Sequence, residues 1–207
     1  ILTCDWSSDV CSSDLLEHLG KHDDLHKLLN FDRFLWSKRL AAPKSFRSVG
    51  EFNAALRTYA CNHPTIKHDR AGKTTRGGAQ TDELFANAEG VAALLLAELE
   101  PIVDSYVQAL PKDAHHPFNA RRPQRPYRIR GWATVLDSGG YQDPHVHPSG
   151  WLSGVYYVQV PGSVDLSNEG QAGWIEFGAW DLRFGQKATH ARHVRALRPE
   201  EGLLLLF

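Results

Sequence analysis

The spacing of apolar residues changes once along the chain, near residue 127. Upstream they recur at helical intervals; downstream they alternate or run on without a break. Leu15, Leu16, Leu19, Leu25, Leu28 and Leu29, with acids early and Lys27 late, predict a short amphipathic helix interrupted near Gly20. Phe31, Phe34, Leu35 and Trp36 predict a second packing turn, ended before Pro43. Ser48-Val-Gly-Glu51 has the form of a capping box, and Phe52, Leu56 and Tyr59 make the stripe that follows it. Asn62-His-Pro64 stops that helix. Thr81 to Leu110 is the longest helical stretch, and Pro101 should kink or split it.

Downstream, strands are expected at Arg128–Leu136, Leu152–Val160, Gly173–Phe177, His193–Leu197 and Leu203–Phe207. Asp137-Ser-Gly-Gly140, Pro161-Gly162 and Arg198–Gly202 read as turns, and 163–172 and 179–191 as polar loops. Short strands at regular spacing suggest a β-sandwich or jelly roll, so the fold class is α+β with the helices first. Two segments fit neither pattern. Lys67–Thr81 (KHDRAGKTTRGGAQT) lacks the spacing of a phosphate loop and reads as a structured loop over a site mouth. Pro111–Pro126 reads as a solvated linker, in which adjacent His115 and His116 would face opposite ways. Three segments follow: 1–15, a helical region over 16–111, and a strand region over 127–207.

Composition removes some functions. A formal net charge of −1 gives no field that would favour nucleic acid or an anionic membrane. No apolar run is long enough to span a bilayer. Cys4 to Leu15 (CDWSSDVCSSDL) back-translates to a common short-read sequencing adapter, so residues 1–15 are expected to be non-native. Setting them aside leaves Cys61 alone, which fits a reducing cytoplasm. With Phe207 inside an expected core strand, the chain reads as a fragment shortened at both ends.

The chemistry concentrates in Asp143-Pro-His-Val-His-Pro-Ser-Gly-Trp151. In an extended segment His145 and His147 share a face. Two neutral imidazoles on one face begin a first-row transition-metal site. A third ligand is needed, and Asp143, Glu176, His190 and His193 are the candidates within the chain. Ser153 and Tyr157, four residues apart on one expected strand, share a face. Gly139, five residues and then His-x-His also opens a cupin-type motif, which would make a metal-binding isomerase or small-ligand binder. The Glu expected after the second His is missing. A metal-free interaction domain is the third reading.

The runs HVHPSGWLSGVYYVQVP, GWIEFG and RPEEGLLLLF, preceded by SVGEFNAAL, TTRGGAQT and HPF, resemble a family of 2-oxoglutarate/Fe(II)-dependent oxygenases. Domains of that family often sit behind tetratricopeptide repeats in bacterial proteins. The resemblance covers about residues 16–207. It implies a double-stranded β-helix with an N-terminal helical cap, incomplete at the C-terminus. It implies Fe(II), with 2-oxoglutarate as co-substrate and His145 as a ligand. His147 stands where the wider superfamily carries a carboxylate. A distal His ligand and a basic residue for the co-substrate would follow Phe207. Tyr157 stands where related hydroxylases carry a Tyr that donates to the distal carboxylate of 2-oxoglutarate, and the resemblance thereby implies that Ser153, on the same face, lines the same cavity.

Overall fold

The computed structural model describes residues 15–16, 19–147, 149–162, 164, 171–178, 180–181, 186–187 and 194–207. Residues 1–14 of the expected non-native leader over 1–15, His190 and His193, and most of the two polar loops lie outside the described residues.

Helix α1 (His22–Leu29) buries Leu25 and Leu28 and follows Gly20, whose φ of +67° breaks the helical path as expected. Helix α2 (Phe31–Phe34) runs straight into strand β1 (Trp36–Arg39). Helix α3 (Val49–Cys61) starts at the expected cap: the Ser48 hydroxyl accepts from the Glu51 N–H at 3.1 Å. The Glu51 carboxylate takes the Arg47 N–H at 2.8 Å, one residue before the usual capping-box partner. Helix α4 (Gly90–Ala109) continues through Pro101 as one 20-residue element, so the expected split does not occur. It also starts nine residues later than Thr81. Thr81 belongs to the sheet edge instead, its N–H donating to the Ala133 carbonyl at 3.0 Å.

The strands form antiparallel sheets. β1, β10 (Leu203–Leu206) and β5 (Gly154–Tyr156) make one, with β10 in the centre. β2 (Lys67–His68), β3 (Thr75–Gln80) and β4 (Thr134–Gln142) make a second. β6 (Ile175–Phe177) pairs with β9 (Arg195–Leu197), and β7 (Trp180–Asp181) with β8 (Gln186–Lys187). The fold is thus α+β.

One cluster joins the helices to the first sheet. It runs from Phe34 and Phe52 through Leu99 and Tyr106 to Trp151, Leu152, Leu204 and Leu206. The register places Tyr156 beside Leu204 and Gly154 beside Leu206, so these residues face the helices. Tyr106 is fully buried, and its hydroxyl donates to the Phe34 carbonyl at 2.7 Å. Tyr106→Phe should therefore cost about 1–3 kcal/mol by leaving that carbonyl unpaired. Urea unfolding of the two proteins checks this; equal midpoints would mean that water replaces the hydroxyl.

Three expectations change. Lys67–Thr81 is a strand pair, not a loop: β3 hydrogen-bonds along β4. The Asp137–Gly140 turn lies inside β4 as an irregularity, opposite a register shift between Arg76 and Gly78. A Cβ on Gly140 would stand 2.1 Å from the Gly77 carbonyl oxygen, so the two strands meet there only because position 140 is glycine. The Pro111–Pro126 linker contains helix α5 (Pro117–Ala120), whose Phe118 is buried and stacks on Trp151 at 4.3 Å and 5°. Its Pro-rich, basic flanks concealed one core aromatic.

Candidate metal centre

β4 ends at Gln142, and the chain leaves it as coil through Asp143, Pro144, His145, Val146 and His147. The departure is anchored: the Asp143 N–H donates to the Thr74 carbonyl at 2.8 Å. Alternation along the extended segment then brings both imidazoles to one side. His145 Nε2 and His147 Nε2 stand 3.1 Å apart, and the ring centroids 4.8 Å at 74°. Val146 points away and is 45% exposed.

His145 Nδ1 lies 2.7 Å from the Asp143 carbonyl oxygen. A carbonyl only accepts, so Nδ1 carries the proton and Nε2 presents a lone pair. This is the usual outer support of a ligating histidine. In the 3.1 Å contact His147 Nε2–H is then the donor to that lone pair. Metal binding would require His147 to carry its proton on Nδ1 instead. At metal–imidazole bonds of about 2.0–2.1 Å, two ligands at a right angle have nitrogens about 3 Å apart, so the observed pair fits two adjacent metal positions. Imidazole nitrogen also suits iron.

His147 packs against the Trp132 ring at 5.4 Å. Its pKa is lowered to about 4, first of all by burial, which penalises the charged imidazolium. The folded pKa lies below the unfolded value of roughly 6.5, so the unfolded chain binds the extra proton. Stability from this group is therefore full above roughly pH 6.5 and is lost as pH falls towards 4. Urea midpoints measured at pH 7 and pH 5 should separate more for the wild type than for His147→Gln. Equal separations would show that His147 is not held neutral.

The other candidates divide. The Asp143 carboxylate is turned to Arg76, with Oδ2 2.6 Å from Nη2. Glu176 sits on β6 with an exposed side chain. Among the described residues no third His, Cys, Asp or Glu forms a metal-holding trio with the imidazole pair. Ser153 and Tyr157 flank β5. Ser153 exchanges both backbone hydrogen bonds with Phe207, at 2.8 and 2.9 Å, and the Tyr157 N–H donates to the Leu203 carbonyl at 3.0 Å. Alternation puts both side chains, with Val155 and Leu205, on the face turned away from the helices. Tyr156 takes the other face, and its hydroxyl donates to Asn53 Oδ1 at 2.6 Å. Burial pushes the Tyr157 hydroxyl up to about 12, so it remains a donor at any ordinary pH. Among the described residues no hydrogen bond or ring contact joins Ser153 or Tyr157 to the imidazole pair.

Sequence reasoning missed the contribution of Arg76 to this site. Arg76 lies in a run of threonines and glycines, and nothing in its spacing points to residue 143.

Residues 130–207 match the model of a protein family described as "Putative 2OG-Fe(II) oxygenase". The matched segment contains β4 and β5, both imidazoles, Ser153 and Tyr157. No curated protein and no solved structure matches the chain. Among the described residues no helix is long and apolar enough to cross a membrane.

Proposed function

We propose that the chain carries a non-haem Fe(II)/2-oxoglutarate-dependent dioxygenase domain of the hydroxylase type, a double-stranded β-helix behind a helical cap. The observation that carries this reading is the 3.1 Å convergence of His145 and His147 inside the segment that matches the oxygenase family. When bound, Fe(II) with 2-oxoglutarate and O2 supplies an oxidative decarboxylation to succinate coupled to hydroxylation of a substrate C–H bond.

The residues of the chain divide the remaining work. His145 and His147 hold the metal through Nε2. The Asp143 carbonyl fixes the proton of His145 on Nδ1 and so keeps its Nε2 lone pair available. The third ligand comes from outside the described residues. The face of β5 that carries Ser153 and Tyr157 forms the co-substrate wall. There the Tyr157 hydroxyl, held protonated by burial, donates to the distal carboxylate.

The test is anaerobic Fe(II) titration of the 207-residue chain, with and without 2-oxoglutarate. The expected result is Fe(II) binding that depends on both histidines. A visible absorption should appear when the keto acid chelates the bound metal, and weaken in Tyr157→Phe. Metal binding that ignores 2-oxoglutarate, in a chain that also carries the expected distal His and basic residue, would overturn the oxygenase reading in favour of a cupin-like one.

A further inference from the structure

The hairpin formed by β2 and β3 reaches the imidazole segment through one side chain. Arg76 Nη1 donates to the Lys73 carbonyl at 2.6 Å and to the Thr75 carbonyl at 3.2 Å. Nη2 of the same guanidinium contacts Asp143 Oδ2 at 2.6 Å. The main chain adds the bond from the Asp143 N–H to the Thr74 carbonyl at 2.8 Å. Asp143 is therefore held at its carboxylate and at its amide, and its carbonyl is the acceptor for His145 Nδ1–H. An arginine suits this place because its planar fork serves several acceptors at fixed angles, which an ammonium does not.

We propose that Arg76 is a positioning residue for the imidazole pair: by tying the Asp143 carboxylate to the Lys73–Thr75 turn, it fixes the carbonyl that orients His145. Asp143 then acts through Arg76 and through its own main chain, not as a metal ligand. The proposal rests on the reading of His145 and His147 as metal ligands. The Arg76 and Asp143 side chains are 49% and 38% exposed, and an isolated ion pair so exposed contributes little. What gives this one weight is that its Asp143 end lies two residues from His145. Losing an outer partner of a ligating histidine weakens metal binding by roughly 10- to 100-fold, and the exposure here puts the expected effect at the low end.

The experiment is Co(II) titration, followed by absorbance, of the wild type, Arg76→Ala, Asp143→Ala, the double variant and Asp143→Asn. Arg76→Ala and Asp143→Ala should each weaken binding by roughly tenfold. The double variant should lose no more than either single one, because both cut the same link. Asp143→Asn should stay near the wild type, since its amide oxygen still accepts from the guanidinium. The Co(II) bands should keep their shape throughout, because no ligand changes. If Asp143 ligates the metal, Asp143→Ala and Asp143→Asn lose far more than Arg76→Ala and the bands change; that result overturns the proposal, as does unaltered binding in Arg76→Ala. A second arm needs no metal. Imidazole 15N shifts should show His145 protonated on Nδ1 in the wild type and as a mixture of tautomers in Arg76→Ala; an unchanged tautomer sinks the proposal. Should the wild type bind no Co(II) at its histidines, the functional reading fails, and the tautomer measurement still decides the role of Arg76.

Discussion

His145→Ala and His147→Ala should each weaken Fe(II) or Co(II) binding by at least about a hundredfold. The floor follows from comparison: losing an outer partner of a ligand already costs roughly 10- to 100-fold, and losing the ligand itself costs more. Two donors 3.1 Å apart act as one chelate, so removing either breaks that chelate and leaves one imidazole beside the third ligand. The double variant should therefore resemble each single one. His115→Ala is the control, since His115 is exposed and its N–H caps locally onto Asp113 Oδ1. Titration followed by absorbance or calorimetry gives the answer. Retained affinity in either single variant would break the case for a metal centre here, and the oxygenase reading with it. Both variants should fold, because His145 is exposed and His147 touches the rest of the protein mainly through Trp132.

The parts of the fold legible in the sequence are those whose burial leaves an apolar signature. Leu203–Leu206 reads as a strand because all four residues of this centre strand are buried, and the segment around Val155 because it lies half-buried beside it. The stripe through Leu95, Leu99, Val103 and Tyr106 marked α4 for the same reason. Strand β3 left no such trace. Its residues are Thr, Arg, Gly, Gly, Ala and Gln, and its place depends on backbone hydrogen bonds to β4 and on glycines at a close approach. Strand β1 was hidden because Ser37, Lys38 and Arg39 are exposed along a sheet edge. At the site, the imidazole pair followed from a period of two within three residues. The clamp from Arg76 to Asp143 spans 67 positions and has no local pattern, so only the folded chain reveals it.

Leu205→Ala should cost about 3 kcal/mol, the largest stability effect expected from a single truncation in the strand region. Leu205 is fully buried in the middle of β10, with Ser37 on one side and Val155 on the other. It faces away from the helical cluster, so its burial comes from a second layer on the opposite side. Phe207, on the same face two residues on, shows part of that layer: its ring meets Phe177 of β6 at 4.7 Å, and Phe177 in turn approaches Phe31. Cutting back Leu205 removes contact with that layer and leaves a cavity that two strands hold open, which puts the loss in the middle of the usual 2–5 kcal/mol range. A small domain has about 5–15 kcal/mol in all, so the variant should unfold at clearly lower urea with an unchanged slope. Leu136→Ala, at a 46% exposed position on β4, should change stability by no more than about 0.5 kcal/mol. Because Leu205 shares its face with Ser153 and Tyr157, the variant should also weaken the Fe(II)-dependent response to 2-oxoglutarate more than it weakens binding of the metal. A loss below about 1 kcal/mol would mean that nothing firm covers this face of β10.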